Sequence, residues 1–115
     1  MDATTSNRLK VNYRDLREYL KLLEAEGLLH RITAEVDPKF ELGAVTARSL
    51  ERKGPALFFE NVKGYRGKPL VTNIISTTRQ LAVAFNSEAD EEVIHERVVE
   101  GMKNRIPSVK LPTGP

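Results

Sequence analysis

Two short apolar runs, PALFF at 55–59 and LVTNII at 70–75, limit the fold of this chain more than any other feature. The first is too short and too uniformly apolar for a surface helix, whose sequence would alternate apolar and polar faces with a period near 3.6. Strands fit both runs, and a strand without a polar face must be covered on both sides. The chain therefore has to supply helices above and below a small sheet. Gly64 and Gly67-Lys68-Pro69 bracket the loop between the runs.

The remaining segments supply those helices. Asp15 followed three residues later by Glu18 forms a capping box in its Asp version, and Leu16, Tyr19, Leu20 and Leu23 recur at helical spacing up to a stop at Gly27. Residues 28–36 read as a strand, with Leu28, His30, Ile32, Ala34 and Val36 on one parity. Asp37-Pro38 is a helix-start signal, and that helix should run to about Lys53 with Leu42, Val45, Ser49 and Leu50 inward. Lys53-Gly54-Pro55 then supplies a cationic last turn, a residue tolerant of positive φ and a breaker. Thr77 with Gln80 is a second capping box, leading a helix through Phe85 to Asn86. Asp90 opens a last helix striped by Ile94, Val98 and Met102. The expected fold class is α/β, a small layered domain with a short mixed sheet in the order α-β-α-β-β-α-α. A polar arm over 1–10, a folded unit over 11–104 and a Pro-rich linker over 105–115 complete the expected organisation.

Composition narrows the function classes. At 115 residues and 40% hydrophobic content, the chain has enough apolar matter for one modest core. Eighteen Lys and Arg against sixteen Asp and Glu, interspersed, give a net charge of +2 and no dedicated nucleic-acid or anionic-membrane surface. The absence of cysteine excludes a disulfide scaffold, a thiol nucleophile and cysteine-ligated zinc. Apolar stretches fall far short of the ~20 residues that span a bilayer, and the polar start lacks a secretory design, so the expectation is a soluble, cytoplasmic protein.

The ordered series DLREYLKLLEAEGLLHRI, EVDPKFELGAVTARSLE, GPALFFENVKGY, PLVTNIISTTRQLAVAF and the closing RIPSVKLPTGP resembles the N-terminal domain of the UbiD family of decarboxylases, over almost the whole length from Val11 to Pro115. The resemblance implies a parent enzyme that uses prenylated flavin mononucleotide, with a divalent metal and potassium, to add or remove carboxylate groups on aromatic and α,β-unsaturated acids. In that family the flavin pocket, the metal ligands and the catalytic Glu and Arg residues follow this domain. The expectation is thus an N-terminal, non-catalytic domain or small subunit, with no catalytic, cofactor-binding or metal residues of its own and with the rest of the decarboxylase as partner in cis or trans. A homo-oligomer is a further expectation. The alternative is a free-standing interaction module that binds a separately encoded catalytic chain.

The chain's own reactive side chains agree with that expectation. His95 with Glu91, Glu92 and Glu96 offers at most two or three metal ligands at helical spacing, and an exposed ion-pair cluster is the simpler reading. His30 reads as a partly buried edge residue. Thr77, Thr78 and Arg79 form an anion-site candidate, since the first-turn amides of a helix are unpaired. No Gly-rich phosphate loop and no base paired to a nucleophile accompany them, and helix capping is the stronger reading. In the turn Glu60–Arg66, Asn61 should bond nearby backbone and Gly64 should take positive φ, while Tyr65 and Arg66 are docking candidates, Tyr65 alternatively covering a sheet edge. The basic sets Arg48, Arg52, Lys53 and Arg97, Lys103, Arg105 sit where cations complement helix C-termini.

Overall fold

The computed structural model describes residues 11–112, so the predicted arm at 1–10 lies outside the described residues. Its elements follow the expected order: α1 (Leu16–Ala25), β1 (Leu29–Ile32), α2 (Glu41–Glu51), β2 (Ala56–Phe59), β3 (Leu70–Thr72), α3 (Thr78–Phe85) and α4 (Glu91–Lys103). The sheet is mixed, in the order β1-β2-β3, with β1 and β2 parallel and β2 and β3 antiparallel. Leu29 pairs with Ala56, Ile32 with Phe59, and Leu57 with Thr72.

Two small cores lie on opposite faces of β2. Tyr19, Leu23, Leu28 and Ala56 pack on the α1 side, joined by partly buried Leu29, Ile74 and Val83. Val36, Leu57, Phe59 and Val62 pack on the α2 side with Ile32, Leu42 and Val45. The uniformly apolar sequence of β2 follows from this, because a strand between two helical layers has no wet face.

α1 starts as predicted at Asp15, whose Oδ1 accepts from the Glu18 amide at 2.9 Å. The return arm of the box lands one residue early: Glu18 Oε1 accepts from the amide of Arg14, at 3.1 Å. Leu16, predicted to belong to the buried stripe, is exposed. The helix ends in a Schellman motif, with Gly27 N donating to Glu24 O at 3.1 Å and Leu28 N to Leu23 O at 2.8 Å around Gly27 at φ +73°. Leu23 and Leu28 close it with an apolar contact in the first core.

Four segments depart from the sequence-based expectations. β1 ends at Ile32; Val36 pairs with Val62 as an isolated parallel bridge, and His30 is exposed rather than partly buried. Asp37 caps a turn instead of the helix, its Oδ1 accepting from Lys39 N at 2.9 Å, and α2 begins at Glu41 behind Phe40, which makes no side-chain cap bond. Leu50 faces solvent, while Thr46 joins Leu42, Val45 and Ser49 on the covered side. β3 is half the predicted length because Asn73 turns into the left-handed region at φ 58°. That turn is used: Asn73 Nδ2 donates to Thr46 O at 3.0 Å and the Thr46 and Thr72 hydroxyls meet at 3.1 Å, tying the edge strand to α2.

At the end of α2, Lys53, not Gly54, takes positive φ, at 53°. Lys53 N donates to Leu50 O at 3.1 Å and Gly54 N to Ser49 O at 2.8 Å, a second Schellman motif. Gly54 is needed for closeness: a Cβ there would stand 2.6 Å from Ser49 Oγ. The Ile94–Val98–Met102 stripe of α4 buries only Ile94. Arg105–Pro112 carries no helix or strand and is exposed throughout.

Candidate functional site

Three places concentrate polar or ligand-competent groups. The first is the start of α3. Both arms of the predicted capping box close here: Thr77 Oγ1 accepts from Gln80 N at 3.2 Å and Gln80 Oε1 accepts from Thr77 N at 3.1 Å. Gln80 Oε1 also accepts from the Ser76 amide at 2.7 Å and hydroxyl at 3.0 Å, and its fully buried Nε2 has no partner among the described residues. Three donors fix the orientation of that amide and strand its nitrogen. Thr77, Thr78 and Arg79 do come together, lining a cavity of about 310 Å³ with Gly27, Lys53 and Gly54. The other walls of that cavity are the C-terminal ends of α1 and α2, whose negative dipole ends oppose the positive end of α3.

The second is the turn after β2. Asn61 does not bond nearby backbone. Its Nδ2 donates across the sheet to Thr33 O while its own carbonyl accepts from Val36 N at 2.9 Å, so one residue clamps the chain beyond β1. Gly64 takes φ +84° as predicted. Tyr65 N donates to Val62 O and Lys68 N to Tyr65 O, which turns the Tyr65 and Arg66 side chains into solvent. Neither lines the cavity at α3, so the two predicted groups form separate places rather than one site.

The third had no sequence signal. Arg31 donates to Glu24 through Nε at 2.6 Å and Nη2 at 3.4 Å, reaches Glu60 at 3.3 Å, and lies 4.7 Å over the Phe58 ring. The bond to Arg31 holds the Glu24 carboxyl below the usual carboxylate range. Its partners stand seven residues before it and 29 after, so no helical or strand periodicity exposes the cluster. It straps α1 to β1 and β2 and leaves no free donor set for a ligand. The ion-pair cluster expected around His95 is absent: among the described residues the ion pairs are Arg14–Glu18, Arg31–Glu24 and Arg31–Glu60.

Under α3, Tyr19 Oη donates to Ile74 O at 2.6 Å, within 3.2 Å of Gln80 O, and Tyr13 Oη donates to Ala84 O at 2.8 Å. Burial, reinforced by the neighbouring Tyr13, pushes the Tyr19 hydroxyl up to about 12. These phenols hold carbonyls in place and are aimed at protein, not at a cleft.

A family model described as the 3-octaprenyl-4-hydroxybenzoate carboxy-lyase N-terminal domain matches residues 20–100. Among solved structures, the chain is similar to vanillic acid decarboxylase of Sedimentibacter hydroxybenzoicus in its open form, at 32% identity and a TM-score of 0.71 over 77% of this chain and 19% of that one. The closed form of that enzyme matches at 34% identity and 0.65 over 70% and 17%. An evolved dimeric form of the UbiD-class enzyme HmfF from Pelotomaculum thermopropionicum, in complex with prFMN, matches at 34% identity and 0.71 over 83% and 21%. The chain thus spans about a fifth of the length of these structures.

Proposed function

The chain belongs to the UbiD family, as its N-terminal domain, and from that premise we propose that it serves a prenylated-FMN-dependent decarboxylase or carboxylase as a non-catalytic domain or small subunit. The substrate class of that enzyme is aromatic or α,β-unsaturated carboxylic acids. One observation carries the reading. Val98 and Met102, four residues apart on α4, are 43% and 62% exposed, and past the helix Ile106, Val109 and Leu111 are 74%, 83% and 81% exposed. Val98 and Met102 lie one helical turn apart, and apolar side chains at that spacing are what a covering surface would bury. The remainder of the decarboxylase is that cover, with the Tyr65–Arg66 turn as a second contact.

Among the described residues no three His, Cys, Asp or Glu side chains converge, so the donors needed for a divalent metal do not fit here. On this reading prenylated FMN, the metal and potassium belong to the remainder of the enzyme. Size-exclusion chromatography of the 115-residue chain, alone and mixed with the catalytic part of its enzyme, tests the proposal. A new, earlier-eluting complex that Met102→Glu weakens is expected; unchanged elution of both components would sink it. Self-association of the isolated chain would favour a domain over a free-standing module, which should stay monodisperse by itself.

A further inference from the structure

On the side of the sheet away from α1, an open groove of about 750 Å³ runs between β1 and the C-terminal half of α2. Ile32, Val45 and Leu57 line it with apolar side chains, and His30, Arg48 and Arg52 line it with polar ones. Among the described residues neither arginine has an ion pair or a side-chain hydrogen bond. Like charges at i and i+4 on a helix repel. Complementing the α2 dipole needs cations in the last turn, but not two of them on the one face that borders an apolar groove.

Among the described residues β1 is an edge strand. Leu28 O and Ile32 O accept from Ala56 N and Glu60 N at 2.8 and 3.0 Å, so the even-numbered residues bond toward β2. By the alternation of a parallel ladder, the backbone groups of Leu29 and Arg31 face the open edge. The groove and that edge lie side by side.

We propose that this edge receives an extended acidic segment of a partner polypeptide, added as a further strand beside β1. The spacing fits. Residues i and i+2 of a strand lie on one face about 6.6 Å apart, and Arg48 and Arg52 stand about 6 Å apart along α2. Two carboxylates at alternate positions of the added strand therefore meet the two guanidiniums while its backbone pairs with Leu29 and Arg31. A small carboxylate would satisfy the arginines and leave the strand edge unpaired. This site is distinct from the α4 surface invoked above and stands without it.

A blocked hexapeptide of alternating valine and glutamate, titrated into the 115-residue chain and followed by amide shifts and hydrogen exchange, tests the proposal. Saturable shifts at residues 29–32 and 48–52, with slowed exchange at the Leu29 and Arg31 amides, are expected. Arg48→Gln with Arg52→Gln should weaken binding about tenfold, from the loss of two charge-assisted contacts. Both side chains are exposed, so the melting temperature of the double variant checks that the fold is intact. Three results would each overturn the proposal: no saturation at millimolar peptide, equal binding of a valine–lysine peptide, or shifts at Arg48 and Arg52 without protection of Leu29 and Arg31.

Discussion

Replacing Lys53 by glycine should stabilise the protein. Lys53 stands at φ 53° after α2, the position at which Gly27 stands at φ +73° after α1. A residue with a Cβ gives up roughly 1–2 kcal/mol in the left-handed region. Glycine avoids that cost but gains about 0.5–1 kcal/mol of unfolded-state entropy. The difference leaves a net gain of about 0.5–1 kcal/mol for Lys53→Gly, or about 2–8 °C in melting temperature for a domain of this size. Lys53 is exposed and in no ion pair among the described residues, so little else changes.

Gly27→Ala is the reciprocal test, because nothing lies within 4 Å of the added Cβ. It should lose about the same 0.5–1 kcal/mol, for the backbone reason alone. Gly54→Ala should be worse in kind: its Cβ would press on Ser49 Oγ at 2.6 Å and on the Ser49 carbonyl oxygen at 3.2 Å, and overpacking of that sort costs about 1–3 kcal/mol. Urea unfolding with a constant m-value reads all three. A lower midpoint for Lys53→Gly, with Gly27→Ala destabilised, would refute the reasoning, since the two sites would then differ in something other than φ.

Two further outcomes follow from the site. Tyr19 ionises near 12 folded against 10.0 unfolded, so the folded state holds its proton longer. The stabilisation is complete below pH 10 and is lost between pH 10 and 12, by at most about 3 kcal/mol and less where solvent reaches the hydroxyl; urea midpoints that stay level over that range would contradict it, and Tyr19→Phe should flatten the decline. Inorganic phosphate should give no saturable shift of the Thr78 and Arg79 amides, because the ends of α1 and α2 oppose the α3 dipole across the cavity; saturation at millimolar phosphate would restore the anion site.

The legible parts of the fold were those whose signals are local. Asp15 as N-cap, the Thr77–Gln80 box, Gly27 and the apolar β2 each carry their reason within a few residues, and each stands where the sequence places it, the Glu18 arm alone shifting to Arg14. What the sequence hid depends on distant partners. β3 stops at Thr72 because Asn73 bends to reach Thr46, 27 residues earlier, and Asn61 is taken from its own turn by Thr33, 28 residues earlier. Arg31 is held by Glu24, Glu60 and Phe58, partners seven residues before it and 29 and 27 after it, so no local pattern marks it. Left-handed Lys53 was hidden for another reason: Gly54 beside it is the usual owner of positive φ, and only the Ser49 contact shows why glycine was needed one residue later.

The same distinction separates structure from interaction on the surface of this domain. The polar groups that looked functional in sequence are largely spent on the fold: Thr77 and Gln80 cap α3, and Asn61 clamps the sheet. Among the groups left over are apolar side chains on α4 and beyond, and guanidiniums beside a strand edge. Neither kind activates a nucleophile or moves a proton; both lose free energy in water and recover it under a complementary surface. Groups of these two kinds act through contact, and substitutions at Met102 or at Arg48 and Arg52 should change assembly while leaving the melting temperature of the domain in place.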